Sequence, residues 1–381
     1  MKYLLMIPGP VESPDEVIKA FNGQTVSHYS KEFRDLYVET TQKLSGILGS
    51  KTPWSFLMPG SGATALEATA ATFCNSRNCL IINNGFFGDR LYIVASRYSQ
   101  NVDQVLFETG QTIDLEIVEN QLKKKQYDLI WMVHVDTSIG VLNPIKEVAS
   151  LAKKYNCEFF IDAVASSAME EIRMDEWSID GIANASQKGF SCPPGLGIVT
   201  LSEKLIDNMK NLPAPKSWFT DLRVWVDHYY KWNDWHPYPC TLPSNIILAL
   251  AKSLEILEAK GIESRLSLHK NVSSKFIKSV KLLGLDTFIP ENRIAHGLTA
   301  VNTLGKFQAH DFVEFISEKF SILIGGCSII EKCKPIVFRI GHMSEKQCET
   351  KNLVSVISAL GVFMKSKGLN VPVDEAIEAL L

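Results

Sequence analysis

The sequence has no excess of charge of either sign. Its 39 Lys and Arg stand against 42 Asp and Glu, a formal net charge of −3 over 381 residues. That excludes the basic footprint of a nucleic-acid or acidic-lipid binder. Long apolar runs are missing too: no stretch approaches the ~20 residues of a membrane helix. The opening segment MKYLLMIPGP is apolar for only about seven residues before Pro8 and Pro10, too short for a secretory signal, so a cytosolic protein is expected. Eight cysteines, at 74, 79, 157, 192, 240, 327, 333 and 348, form no CxxC pair and have no histidine at zinc-like spacing. They read as small buried thiols in a reducing compartment, with no metal site. Repeats and low-complexity tracts are also absent.

What is present is alternation. NCLIINN (78–84), VDQVLF (102–107), YDLIWMVHV (127–135) and CEFFIDA (157–163) are strand-like. Between them lie stretches of helical spacing: FGDRLYIVASRYS (87–99), DLEIVENQLKKK (114–125) and PIKEVASLAKKY (144–155). Nearly continuous apolar strands separated by amphipathic helices predict a mainly parallel α/β sheet covered on both faces. The alternation lapses after about residue 200. A Trp- and Tyr-rich stretch, 218–238, is expected to be a loop, and a long helix over 244–261 to be capped by Ser244 and stopped by Gly261. The remainder mixes helices and short strands. This predicts a large domain over 1–260 and a smaller α+β domain over 261–381.

Five segments carry candidate chemistry. Lys188, in ANASQKGFSCPPGLG (183–197), follows a short apolar segment and precedes a rigid Pro-Pro-Gly turn. A pre-positioned, partly desolvated lysine can hold an aldehyde cofactor as a Schiff base. Asp162 ends the apolar strand FFIDAVAS (159–166). Ligands of open parallel sheets bind at such strand ends, and a carboxylate there needs a partner. A pyridinium nitrogen is one, and Val164, two residues on, points to the same side. In LMPGSGATALEATAAT (57–72), glycines lead straight into a helix whose first N–H groups suit a phosphate. The spacing is neither GxGxxG nor GxxxxGK[ST], which argues against a Rossmann dehydrogenase and a P-loop protein. VHVDTSIGVLNP (133–144) puts hydroxyls at a strand end. PIVFRIGHM puts Arg339 in an apolar strand, where its guanidinium wants a carboxylate or phosphate. Taken singly, most of these segments have an ordinary structural explanation: a surface lysine, a capping aspartate, a tight turn, a structural ion pair.

Their order along the chain resembles the class V aminotransferases of pyridoxal-phosphate (PLP) fold type I, the group that includes alanine–glyoxylate and serine–pyruvate aminotransferases. The resemblance runs from PGP at 8–10 to FRIG at 338–341, with DAVAS (162–166), SQKGFSCPPG (186–195) and YPCTLP (238–243) its most specific pieces. It implies a seven-stranded-type large sheet, pyridoxal 5'-phosphate as cofactor, and Lys188 as the residue that bonds it and shuttles a proton. Asp162 would pair with the pyridine nitrogen, Phe87 and Val164 would cover the two ring faces, and Thr137 would approach the ring hydroxyl. Ser61, Gly62, Ala63 and Gln187 would hold the phosphate. Tyr238 and Thr241 match a YxxT pair that reaches the phosphate of a neighbouring subunit, which implies a homodimer. Arg339 would bind the substrate α-carboxylate, and the backbone at Gly9, within an N-terminal segment (1–20) that contributes to the site, would lie near the substrate side chain.

The implied reaction moves an amino group from alanine or serine to glyoxylate or pyruvate. Three departures stand out: Ala63 where some members carry a larger polar residue, Phe87 for the commoner Trp, and Tyr29 where relatives carry Arg. Rivals are a cysteine desulfurase or related lyase, a ureidoglycine or aminoethylphosphonate transaminase, and a non-catalytic subunit of the same fold. The desulfurase would carry His, not Gln187, before the lysine and would need a mobile catalytic cysteine. Cys327 in IGGCSII (324–330) is the only late candidate in a Gly-containing loop.

Overall fold

The computed structural model describes residues 3–327 and 330–381. The strands of its two main sheets are, in chain order, β1 (Leu4–Met6), β2 (Ser55–Pro59), β3 (Cys79–Asn83), β4 (Val102–Leu106), β5 (Leu129–Val133), β6 (Glu158–Asp162), β7 (Gly181–Ala185), β8 (Leu196–Leu201), β9 (Asp286–Thr287), β10 (Leu298–Asn302), β11 (Ile322–Gly326) and β12 (Val337–Gly341). The large sheet has the order β2-β8-β7-β6-β5-β3-β4. Six of its seven strands point the same way, and β8 lies antiparallel to both neighbours.

This is the mainly parallel α/β sheet that the apolar runs predict. Every residue of β3, β5 and β7 is buried, as strands covered on both faces must be. Period-two alternation sends Ile81, Trp131 and Phe160 into one core and Ile82, Ile130, Met132 and Phe159 into the other. The second sheet has the order β1-β11-β12-β10-β9. Phe276, Val301, Phe312, Phe338 and Leu360 pack together on it.

Three expectations need correction. The chain's start does not join the sheet of residues 1–260, because β1 pairs parallel with β11 in the second sheet. Its register, Leu4 to Ile322 through Met6 to Ile324, ties the N-terminal strand across to the C-terminal third. The stretch 218–238 is not all loop, because Leu222–Trp232 is a helix. Asp221 caps it by accepting the Arg223 N–H at 3.0 Å, and Leu222, Trp225 and Val226 bury one face. The aromatic content hid an ordinary i, i+3, i+4 stripe. Ser244 is the first helical residue rather than the cap: Pro243 precedes the helix Ser244–Lys260 without a capping side chain. The stop at Gly261 is as expected, with φ +81°. No described helix is long and apolar enough to cross a membrane, and all eight cysteines are free.

Candidate active site

The parallel strands end on one side of the large sheet, and there the expected residues gather. A cavity of about 220 Å³ is lined by Ser61, Gly62 and Ala63 at the start of the helix Gly62–Thr69, by Asp162 and Val164 after β6, and by Gln187 and Lys188 after β7. Phe87 and Thr137 also lie on its wall. A larger crevice of about 460 Å³, between residues 142–147 and the helix Ile262–Leu282, contains none of the expected site residues.

Ser61 caps its helix. Its hydroxyl accepts the Ala63 N–H at 3.3 Å, while Thr64 Oγ1 accepts the Ser61 N–H at 3.2 Å. Ser61, Gly62 and Ala63 thus bring a helix start to the cavity wall, the end of a helix at which an anion is stabilised. Gln187, also on the wall, keeps a buried Oε1 with no hydrogen-bond partner among the described residues.

Asp162 is 5% exposed. Its Oδ1 accepts the Val164 N–H at 2.9 Å, and no cation lies within ion-pair distance among the described residues. Burial raises its carboxyl to about 6. Lys188 is shifted the other way: burial first, then the positive charge of Arg339, bring its ammonium down to about 8 against the opposing pull of Asp162. Its Nζ donates to the Pro8 carbonyl. Gly9, at φ +77°, lies so close that a Cβ there would stand 2.4 Å from Lys188 Cδ. The N-terminal segment therefore packs directly against the lysine. One consequence is measurable: the rate at which apoprotein captures added PLP should rise with pH through about 8, because only the neutral amine adds to an aldehyde. A rate still climbing through the ordinary lysine range would contradict this placement of Lys188.

Arg339, on β12, lies outside the cavity wall but beside it. Its Nη1 donates to the Thr137 carbonyl at 2.8 Å, and its Nε and Nη2 donate to the Gly326 carbonyl. Among the described residues no carboxylate pairs with it. Tyr238 and Thr241 stand apart from the cavity. Tyr238 is fully buried with its hydroxyl donated to the His28 carbonyl of the same chain, and Thr241 is exposed. Sequence reasoning missed Arg90, which lines the cavity and lies 5.0 Å from the Phe87 ring centroid. Its signal was available, since it follows Phe87 by three positions on one helix.

A buried carboxylate and a depressed lysine at adjacent strand ends, beside a helix start built for an anion, belong to the PLP-dependent enzymes of fold type I. The family model for class-V aminotransferases matches residues 10–341, and the chain belongs to that family. Its cofactor is accordingly pyridoxal 5'-phosphate. An alanine–glyoxylate aminotransferase of Saccharomyces cerevisiae is 30% identical over 369 residues, 92% of this chain and 94% of that one. A 42 kDa subunit of a soluble hydrogenase from Anabaena cylindrica is 28% identical, over 96% of this chain and 94% of the relative. The crystal structure of a ureidoglycine–glyoxylate aminotransferase from Bacillus subtilis superposes with a TM-score of 0.92 at 25% identity, covering 100% of this chain and 97% of that one.

Proposed function

We propose that this aminotransferase moves an amino group from a small L-amino acid, alanine or serine, to glyoxylate or pyruvate, working as a homodimer. The observation that carries the reading is the convergence of Lys188, Asp162 and the Ser61–Ala63 helix start on one cavity, with Arg339, which pairs with no carboxylate among the described residues, beside it. Both the Saccharomyces and Bacillus relatives are named for glyoxylate as a partner substrate, which supports the acceptor.

The residues present fit the cofactor. Asp162 is a buried carboxylate in want of a cation, and Gln187 carries a buried polar atom in want of a partner. When bound, PLP supplies an electron sink for the bond broken at the substrate Cα. Lys188 would anchor it covalently, then take and return a proton at Nζ. An ammonium lowered to about 8 is neutral in about a tenth of molecules at pH 7, far more than at the ordinary lysine value, and general-base work requires that neutral form. Asp162 would hold a proton on the ring nitrogen. Phe87 and Val164 would fix the ring plane, Thr137 would meet the ring hydroxyl, and Ser61, Gly62, Ala63 and Gln187 would keep the phosphate. Arg339 would orient the substrate by its carboxylate, a bidentate grip of a planar group. Gly9 would bring backbone close to the substrate side chain, and Tyr238 and Thr241 would act across the subunit boundary.

The desulfurase alternative is disfavoured by Cys327, which is buried with its thiol donated to the Ser138 carbonyl at 3.2 Å. A non-catalytic role, suggested by the hydrogenase subunit's name, is disfavoured because Lys188, Asp162 and Arg339 are all present in the sequence. The test is a half-reaction screen: cofactor absorbance of the holoenzyme is followed with each amino acid and with 2-aminoethylphosphonate and ureidoglycine, then acceptors are supplied. Alanine or serine should discharge the absorbance fastest, and glyoxylate or pyruvate should restore it. A response confined to another amine, or sulfide release from cysteine, would replace this reading.

A further inference from the structure

Behind the cavity wall lies a carboxylate that the site as described does not use. Asp136 is fully buried, and no cation pairs with it among the described residues. Such a group is costly unless its hydrogen bonds do something that a neutral side chain could not. Its Oδ2 accepts the Phe87 N–H at 2.8 Å, and its Oδ1 accepts the Ser138 N–H at 2.9 Å and the Ser138 hydroxyl. The first of these bonds is a helix cap supplied from outside the helix. Phe86–Ala95 begins after Gly85, which has no side chain with which to cap it, and Asp136, 49 residues further along the chain, takes that role.

Gly85 is explained by the same contact. Its φ of −173° is extended backbone that any residue adopts. What excludes a side chain is Asp136: a Cβ at 85 would stand 2.4 Å from Oδ2 and 2.6 Å from Cγ. The carboxylate and the bare backbone at 85 are fitted to each other. On the other side, the turn that Asp136 closes includes Thr137, whose carbonyl accepts Arg339 Nη1 at 2.8 Å.

We infer that Asp136 is the positioning residue of this site, fixing the Phe87 ring and the 136–138 turn relative to one another and, through the Thr137 carbonyl, aiming Arg339. The inference rests on the roles proposed above for Phe87 and Arg339. Asp136 does not line the cavity, and its hydrogen bonds place it behind those two side chains.

The test compares holoenzymes of Asp136→Asn, Gly85→Ala, Asp136→Ser and the double variant Gly85→Ala/Asp136→Ser. Asparagine offers an acceptor to only one of the two N–H groups and turns an amide toward the other. Asp136→Asn should weaken the circular dichroism of the cofactor band and raise KM for the amino donor about tenfold or more, the size of one lost charge-assisted hydrogen bond. Gly85→Ala should give the same signature, since its methyl displaces the carboxylate. Serine is shorter, so adding Gly85→Ala to Asp136→Ser should change little further. The proposal is overturned if Asp136→Asn alters the melting midpoint alone, with cofactor dichroism and KM unmoved. It is equally overturned if Gly85→Ala is as harmful in the Asp136→Ser background as it is with Asp136 in place. Lys188→Ala, run in parallel, separates the two levels: full activity there overturns the reading of the site, whereas loss of activity there with an unaffected Asp136→Asn overturns only the inference about Asp136.

Discussion

Replacing Lys188 by alanine should lower the transamination rate by roughly 10²–10⁴-fold from loss of the general base alone, with loss of the covalent anchor adding to it. The magnitude follows from how completely the surroundings are committed to this side chain. Its ammonium is desolvated and faces the positive field of Arg339, so the fold itself favours the neutral amine. Its Nζ is steered by the Pro8 carbonyl, and Gly9 leaves no room for it to retreat. No described neighbour can substitute. Gln187 carries no basic group, and no other lysine lines the cavity. The measurement is single-turnover absorbance of the reconstituted variant with alanine, with an added primary amine as a rescue control. Partial rescue would show that the missing group is an amine base. Near-normal turnover without rescue would remove Lys188 from the chemistry.

Much of the large sheet was legible because its strands are short, apolar and bounded, and because burial on both faces imposes a pattern that can be read locally. The same locality explains Asp162 and Lys188: each directly follows or ends a buried strand, so topology alone carries both to one edge. What stayed hidden depends on distant pairing. Nothing in LLM at positions 4–6 shows that it pairs with Ile322–Ile324, because the partner lies more than 300 residues away in a different sheet. Asp136 looked like one more polar residue in a turn, since the Phe87 N–H it accepts lies 49 residues earlier. The helix Leu222–Trp232 was missed for another reason: aromatic residues sit comfortably in loops and helices alike, and only its Asp221 cap and the spacing of Leu222, Trp225 and Val226 distinguish the two. Arg90 shows an incomplete use of a readable signal, as its helix was recognised but its second cavity-facing turn was not.

Asp162→Asn should do two opposite things, and their combination is the sharper test of the site. In the holoenzyme it removes the negative charge proposed to keep a proton on the ring nitrogen. Loss of an electrostatic group aimed at developing charge costs about 10²–10³-fold in rate. In the apoprotein the same change should stabilise the fold. The folded carboxyl is raised from 3.8 to about 6 by burial, so the native state binds its proton more tightly than the unfolded chain does. The associated stability is fully present below 3.8, is lost as pH rises through about 6, and is absent above it. A shift of about 2 units at ~1.36 kcal/mol each amounts to about 3 kcal/mol of strain carried by the apoprotein at neutral pH. Asparagine carries none of it, and its side-chain oxygen can still accept the Val164 N–H. The apo variant should therefore melt higher than wild type at pH 7.5 and converge with it near pH 4. Added PLP should narrow the gap at pH 7.5, because the wild-type carboxylate then gains the cation it lacks, and a ligand that binds only the native state raises its midpoint. An apo variant less stable than wild type at pH 7.5, or one whose advantage survives unchanged with the cofactor bound, would mean that Asp162 is a structural acid satisfied by its own strand end rather than a group waiting for a ring nitrogen.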